Sequence, residues 1–418
     1  MTVTTSEPRS HIRTLARRLA PFMGLIVIFA AGAILNGGTF LNMYNQLNVL
    51  GRISIKALPA VGMTLVIISA GIDLSVGSLV SLSSVICAML LMEREWTNAT
   101  SLALPLFSMT GLVLGYGICS RILRSTNARE TVSCPIRWLA GLVVAAALFA
   151  WGYRQAPAGF STLAVLLIVP GAGAALGALN GLIIAKGRIQ PFIVTLGTMS
   201  AAVGLAKFIA GKGGQIHTIY YDAAGYSAEG TAHIAPRSFD LLNSNIPLFG
   251  VRIFPVTGLF FLVSVLVMYF VLTRLRFGRY IYAIGGNEET SRLSGIAVDR
   301  VKIVTYALSG GLAALAGVLY CSAYTQGKAD AGITWELDAI AAVVIGGTSL
   351  MGGRGSVIGT MVGVLILGYL GNILNLQEVS SEVQDILKGV IIVGAVLLQE
   401  GMVARWIRAI RRRKRSPL

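Results

Sequence analysis

The residues of this chain that could carry chemistry fall in three stretches. The first is AGIDLSVGS, which sets Asp73 between apolar runs, with Ser75 and Ser78 just beyond it. The Asp73 carboxylate can accept from the amide of Ser75 or Val76 and so open a helix after a break at Gly71. The second is TWELDAIAAVV. Here Thr334 can cap a helix that carries Glu336 and Asp338 in its first turn, where acids complement the positive helix end. The third is a polar interlude from Gly278 to Lys302, GRYIYAIGGNEETSRLSGIAVDRVK. Within it Asn287 can cap a short helix with Glu288 and Glu289 in the first turn, and Glu288 and Arg292 are spaced as an i,i+4 ion pair. Gly295 stands where a helix commonly ends. Leu293 and Ile296 are apolar with no evident core. A helix this short is marginal alone, so it is either a docking element or a well-capped solvated connector.

Several chemistries are missing from the sequence. No GxxxxGK[ST] phosphate loop is present, so ATP hydrolysis is not expected on this chain. His11, His217 and His233 are far apart and have no metal-ligand spacing. No Ser/His/Asp constellation occurs. The four cysteines, Cys87, Cys119, Cys134 and Cys321, are read as free thiols that serve packing. No catalytic residue, metal or cofactor is therefore expected.

The elements that must position these residues are membrane helices. Of 418 residues 55% are hydrophobic and only 12% charged, with a mean hydropathy of +0.75. Apolar runs near helix-spanning length recur, no dyad alternation suggests a β-barrel, and no polar block is long enough for a separate soluble domain. The fold class expected is all-α, a polytopic transmembrane bundle of about twelve crossings. They are placed at 20–40, 50–70, 72–92, 102–120, 138–153, 161–185, 190–210, 254–274, 303–324, 337–351, 356–374 and 384–401, so that 20–401 is one transmembrane domain. Gly346 and Gly347 mark 337–351 as broken or re-entrant. Arg9, Arg13, Arg17 and Arg18 precede an apolar run that flows into further hydrophobic sequence, which reads as an uncleaved first span behind a basic arm at 1–19.

Most of the 34 lysines and arginines fall on one side if both termini are cytoplasmic, together with the segments 121–137 and 274–302. The same asymmetry explains the net charge of +16 without nucleic acid, and makes the basic tail 402–418 a membrane-surface anchor. Gly173, Gly177 and Gly181, Gly111 and Gly115, and Gly359 and Gly363 are spaced for close helix approach, as plain packing or as a gating seam. The outer loop 211–253, with Tyr220, Tyr221, Tyr226 and Phe239, reads as a folded loop. Charges at membrane depth are scarce, and Asp73, Glu336, Asp338 and Asp385 lie near span ends. Two readings of Asp73, Ser75, Ser78, Glu336 and Asp338 are open: helix capping, or helix starts lining a pathway for a polar, uncharged solute.

Four stretches resemble the ribose-type sugar permeases of bacterial ATP-binding-cassette importers, a binding-protein-dependent inner-membrane family. They are AVGMTLVIISAGIDLSVGSLVSL (60–82), GALNGLIIAKGRIQPFIVTLGTM (177–199), GRYIYAIGGNEETSRLSGIAVDRVKI (278–303) and ELDAIAAVVIGGTSLMGGRGSVIGT (336–360). The similarity covers most of 40–210 and 254–400. Members have about ten crossings, so the segment 94–150 is read as an extra helical pair around a basic loop. The resemblance implies a multi-pass subunit that imports a monosaccharide, pentose or hexose, from the periplasm. It implies ATP and magnesium on a partner ATPase, a periplasmic sugar-binding protein, and a second permease copy as a homodimer. It assigns 275–302 to the cytoplasmic coupling loop, with Asn287, Glu288, Glu289, Arg292, Leu293, Gly295 and Ile296 against the ATPase. The alternative is a self-contained secondary transporter or channel for a small neutral polar solute, against which the coupling-loop match and the scarcity of buried charge both argue.

Overall fold

The computed structural model describes residues 8–92, 161–217, 237–248 and 251–399, with scattered positions between 111 and 151. The expected helical pair in 94–150, Cys119 and Cys134, the middle of the 211–253 loop with its three tyrosines, and the tail lie outside the described residues.

In chain order the helices are α1 (Pro8–Phe40), α2 (Met43–Ile68), α3 (Val76–Met92), α4 (Thr162–Gly187), α5 (Pro191–Ala210), α6 (Val256–Arg274), α7 (Arg276–Gly286), α8 (Glu288–Leu293), α9 (Val298–Tyr324), α10 (Trp335–Ile345), α11 (Val357–Leu376) and α12 (Ser381–Gln399). Short strands β1 (Gln215–His217), β2 (Asn245–Leu248), β3 (Val251–Pro255) and β4 (Gln326–Lys328) accompany them. Among the described residues seven helices are long and apolar enough to cross a membrane: Pro21–Phe40 within α1, and α2, α4, α5, α6, α9 and α11. The protein is thus a polytopic helical membrane protein. Each of these seven overlaps an expected crossing.

Two expectations need correction. The chain is not purely helical: β1 pairs antiparallel with β4, and β2 with β3. These strands close the backbone bonds of loop segments that no helix could satisfy, including part of 211–253. The stretch 337–351 is broken where Gly346 and Gly347 stand, as expected: the eleven-residue α10 stops at Ile345 before a turn with Gly347 at φ 88°. Thr334 is not in the extended conformation of a capping residue. Its φ is +68°, so the start of α10 is set by the preceding turn, where the Trp335 amide donates to the Gly332 carbonyl.

The chain divides into two compact units. Among the described residues one unit contains Ile72–Thr257 and Ala297–Glu336. Its centre is the pair α4 and α9. A Cβ at Gly177 would overlap the Tyr306 carbonyl, one at Gly173 would overlap Ala314, and one at Gly181 would lie 2.6 Å from the Ile303 Cα. The glycine stripe therefore lets two backbones touch, which is close packing in the membrane sense. Helix α3 lies on α9 through Gly317, whose added Cβ would reach Ser83 Cβ at 2.7 Å. Cys87 and Cys321 are buried free thiols in this unit.

The other unit contains the described residues up to Gly71, Gly258–Ile296 and those from Leu337 onward. Polar side chains join α2 to α11: Thr64 and Thr360 share a 2.7 Å hydrogen bond, Asn45 and Asn372 exchange bonds of 3.2 and 3.1 Å, and Tyr369 donates to Gln46 at 3.0 Å. Such interhelical bonds each contribute about 0.6 kcal/mol in membranes. At the C-terminal end of α2 the Gly353 amide donates to the Ile68 carbonyl at 2.9 Å, and a Cβ on Gly285 of α7 would overlap that same carbonyl.

Candidate functional site

Asp73 lies in the break between α2 and α3 and is fully buried. The amide and hydroxyl of Ser75 both donate to its Oδ1, at 3.1 and 2.5 Å, and the Ser309 hydroxyl of α9 donates to Oδ2 at 2.9 Å. The Leu79 amide donates to the Ser75 carbonyl at 2.8 Å. Ser75 is therefore the helix cap, and Asp73 forms an Asx turn onto it. Ser78 turns its hydroxyl back to the Ser75 carbonyl at 2.7 Å.

The cluster extends onto α4 and α5. Asn180 donates to the Ser75 hydroxyl at 3.1 Å and accepts from Thr198 at 2.5 Å. Thr195 accepts from the Leu74 amide at 3.1 Å while donating to the Pro191 carbonyl at 3.0 Å. The Asp73 carboxylate thus ties the start of α3 directly to α9, and Ser75, Asn180 and Thr195 extend the network to α4 and α5. The Tyr306 hydroxyl, one turn before Ser309, is buried without a hydrogen-bond partner among the described residues. Asn180, Thr195, Thr198 and Ser309 were not singled out from sequence. A polar residue inside an apolar run was the available signal, and Asn180 in GALNGLIIA shows it most clearly.

Glu336 and Asp338 do occupy the first turn of α10, but they serve different neighbours. A Cβ on Gly77 would overlap both the Glu336 carboxylate and the Gly332 carbonyl, so the start of α3 lies against the start of α10. Asp338 pairs with Lys56 at 3.5 Å and Lys388 at 3.8 Å, and Lys388 also reaches Asp385 at 3.0 Å. Asp73, Ser75 and Ser78 thus form one cluster, and Asp338 belongs to another.

The polar interlude folds as the sequence suggests, with an addition. Its first part is a full helix, α7, in which the half-buried phenol of Tyr282, raised above its ordinary pKa by desolvation, donates to the Gly355 carbonyl at 2.9 Å. Asn287 (φ −162°, ψ 108°) caps α8 by accepting from the Thr290 amide at 2.8 Å, and Arg292 meets Glu288 at 3.5 Å. The helix ends in a Schellman motif: the Gly295 amide donates to the Arg292 carbonyl, the Ile296 amide to the Ser291 carbonyl, and Gly295 sits at φ 82°. Leu293 is 85% exposed, and Ile296 is half-buried. α8 is thus capped at both ends and leaves Leu293 bare.

The family model described as "Branched-chain amino acid transport system / permease component" matches residues 45–396. The chain belongs to this permease family. It is 36% identical over 377 residues to the ribose import permease protein of Haemophilus influenzae, covering 90% of this chain and 91% of that protein. It is 35% identical over 397 residues to the ribose import permease protein of Bacillus subtilis, covering 94% and 96%. With the xylose transport system permease protein of Escherichia coli K12 the identity is 34% over 380 residues, covering 88% of each. No solved structure matches the chain. The permease is a multi-pass protein of the bacterial inner membrane and a transport subunit rather than an enzyme. As an importer permease it works with an ATP-binding-cassette ATPase and a periplasmic binding protein.

Proposed function

We propose that this permease carries a monosaccharide, a pentose or hexose, from periplasm to cytoplasm, driven by ATP hydrolysis on the separate ATPase. The observation that carries this reading is identity of about a third to two ribose permeases and a xylose permease over roughly nine tenths of the chain. The proposed layout has both termini in the cytoplasm, twelve crossings counting a helical pair in 94–150, a periplasmic loop at 211–253, and basic ends on anionic lipid. Two copies form the pathway.

In this reading the loop 275–302 engages the ATPase through α8. Asn287, Glu288, Glu289, Arg292 and Gly295 hold its shape, while Leu293 and Ile296 supply the apolar contact. Burying each could contribute roughly 1.5–3 kcal/mol. Asp73, Ser75 and Ser78 shape the break between α2 and α3, and Glu336 and Asp338 shape the start of α10 beside the pathway.

Reconstitution of the permease with its ATPase and binding protein in liposomes tests the function. Labelled ribose, xylose or galactose should accumulate only with ATP and the loaded binding protein. Accumulation driven by an ion gradient without ATP would establish the secondary-transporter alternative instead.

A further inference from the structure

Lys56 stands at the midpoint of α2, a helix long and apolar enough to span a membrane. Twelve or thirteen residues separate it from either end, about 18 Å at 1.5 Å per residue, which is close to the middle of a bilayer's hydrocarbon core. It is not walled in: its side chain is 46% exposed. Asn48, Arg52 and Lys56 are all exposed and recur every fourth residue, so they form one polar stripe down the first half of α2. Below Lys56 the pattern stops, and every residue from Ala57 to Ser69 is buried.

The stripe ends on charge of both signs. Lys56 pairs with Asp338 of α10, which also meets Lys388 of α12, which in turn meets Asp385. The side chains of these partners keep exposures of 20, 34 and 65%. Two lysines and two aspartates cancel, so the end of the stripe is polar without net charge. Such a row is costly against lipid tails, and intramembrane charges characteristically pair with one another around water. Carboxylates that accept from hydroxyls, and ammonium groups that donate to them, are what a neutral polyhydroxylated solute needs to replace its hydration.

We propose that Asn48, Arg52 and Lys56, with Asp338, Asp385 and Lys388, line a water-filled half-channel in which a neutral polyol such as a monosaccharide exchanges water for side-chain hydrogen bonds. The solute's identity rests on the permease reading above, whereas the water access does not.

The test uses the full-length permease with its four cysteines changed to serine, and single variants Arg52→Cys, Lys56→Cys and Leu266→Cys. Leu266 is 57% exposed on the apolar α6 and serves as a lipid-facing comparison. A membrane-impermeant anionic methanethiosulfonate is applied to spheroplasts. Arg52→Cys and Lys56→Cys should react at least tenfold faster than Leu266→Cys, and a high concentration of ribose or xylose should slow them. Reaction at the Leu266→Cys rate overturns the half-channel, as it would if lipid or a second copy covered the stripe. Fast reaction that no monosaccharide slows overturns the solute contact. Should Lys56→Cys fail to fold, Arg52→Cys one turn away carries the same test. Failure of the unsubstituted permease to import any sugar would instead overturn the permease reading, a result separate from labelling rate.

Discussion

Replacing Asp73 separates capping from charge. Asp73→Leu removes the acceptor of three hydrogen bonds, from the Ser75 amide, the Ser75 hydroxyl and the Ser309 hydroxyl. The two hydroxyls can rotate toward helix carbonyls and lose about 1 kcal/mol each. The amide cannot rotate, and a stranded buried amide costs about 1–3 kcal/mol. The total is roughly 3–5 kcal/mol, before adding the cost of a larger side chain at a fully buried position. Asp73→Asn keeps Oδ1 for Ser75, and the Ser309 hydroxyl can turn to accept from the new amide, so the loss is about 1 kcal/mol. Thermal unfolding of the purified permease in detergent, alongside sugar uptake, reads the difference. Asn should keep most uptake and folded yield, and Leu should lower the melting temperature by several degrees more and lose uptake. Equal damage from both would show that the negative charge itself matters and would refute the capping account.

Other expectations follow from the same structure. Gly295→Val forces a β-branched residue to φ 82° where nothing stands within 4 Å of the new Cβ, a penalty of backbone conformation alone; it should reduce ATPase co-purification while leaving the membrane fold's melting temperature unchanged. Leu293→Asp, at an exposed site, should likewise spare folding and weaken ATPase association severalfold, since the carboxylate would enter an apolar groove unpaired; normal association in both variants would make α8 a plain connector. Gly177→Ala should lower the melting temperature markedly because the methyl would overlap the Tyr306 carbonyl, whereas Gly197→Ala, with open space at its Cβ, should be neutral or stabilising by up to about 1 kcal/mol. A cysteine at Asn243 should react with an impermeant maleimide from the periplasmic side and one at Glu289 should not; the reverse pattern would invert the proposed orientation. Ser291 of α8 is buried and would make an unsuitable probe site.

What could be read from sequence depended on whether the cause was local. The α8 caps lie within a few residues of what they cap, so Asn287, the Glu288–Arg292 pair and Gly295 were all visible in the string. The glycine stripe of α4 was visible too, although only the structure chose packing against α9 as its role. Asp73 was half legible: its bond to Ser75 is two residues long, but its bond to Ser309 joins positions 236 apart and depends on how α3 lies on α9. Thr334 misled because its residue type suits a cap while the preceding turn holds it at positive φ. The strand pairs escaped notice because three- to five-residue pairings leave no periodic pattern. Lys56 was not singled out from sequence, because its partners on α10 and α12 lie about 280 and 330 positions away and only the fold brings them together.

The meeting of Ile68, Gly285 and Gly353 has a mechanical consequence. At that point α2, α7 and the turn before α11 meet backbone to backbone, with one carbonyl receiving an amide at 2.9 Å and a bare Cα. Side chains between moving parts act as soft padding, because a rotamer change can absorb a displacement of an ångström or more. At the Ile68 carbonyl no such padding intervenes. In the coupling role proposed for α8, a push on it would pass through the adjoining α7 to the end of α2 with little lost motion, as through a joint without backlash. Spin labels at Glu289 and Arg52 are therefore expected to shift together through the transport cycle, with neither leading the other.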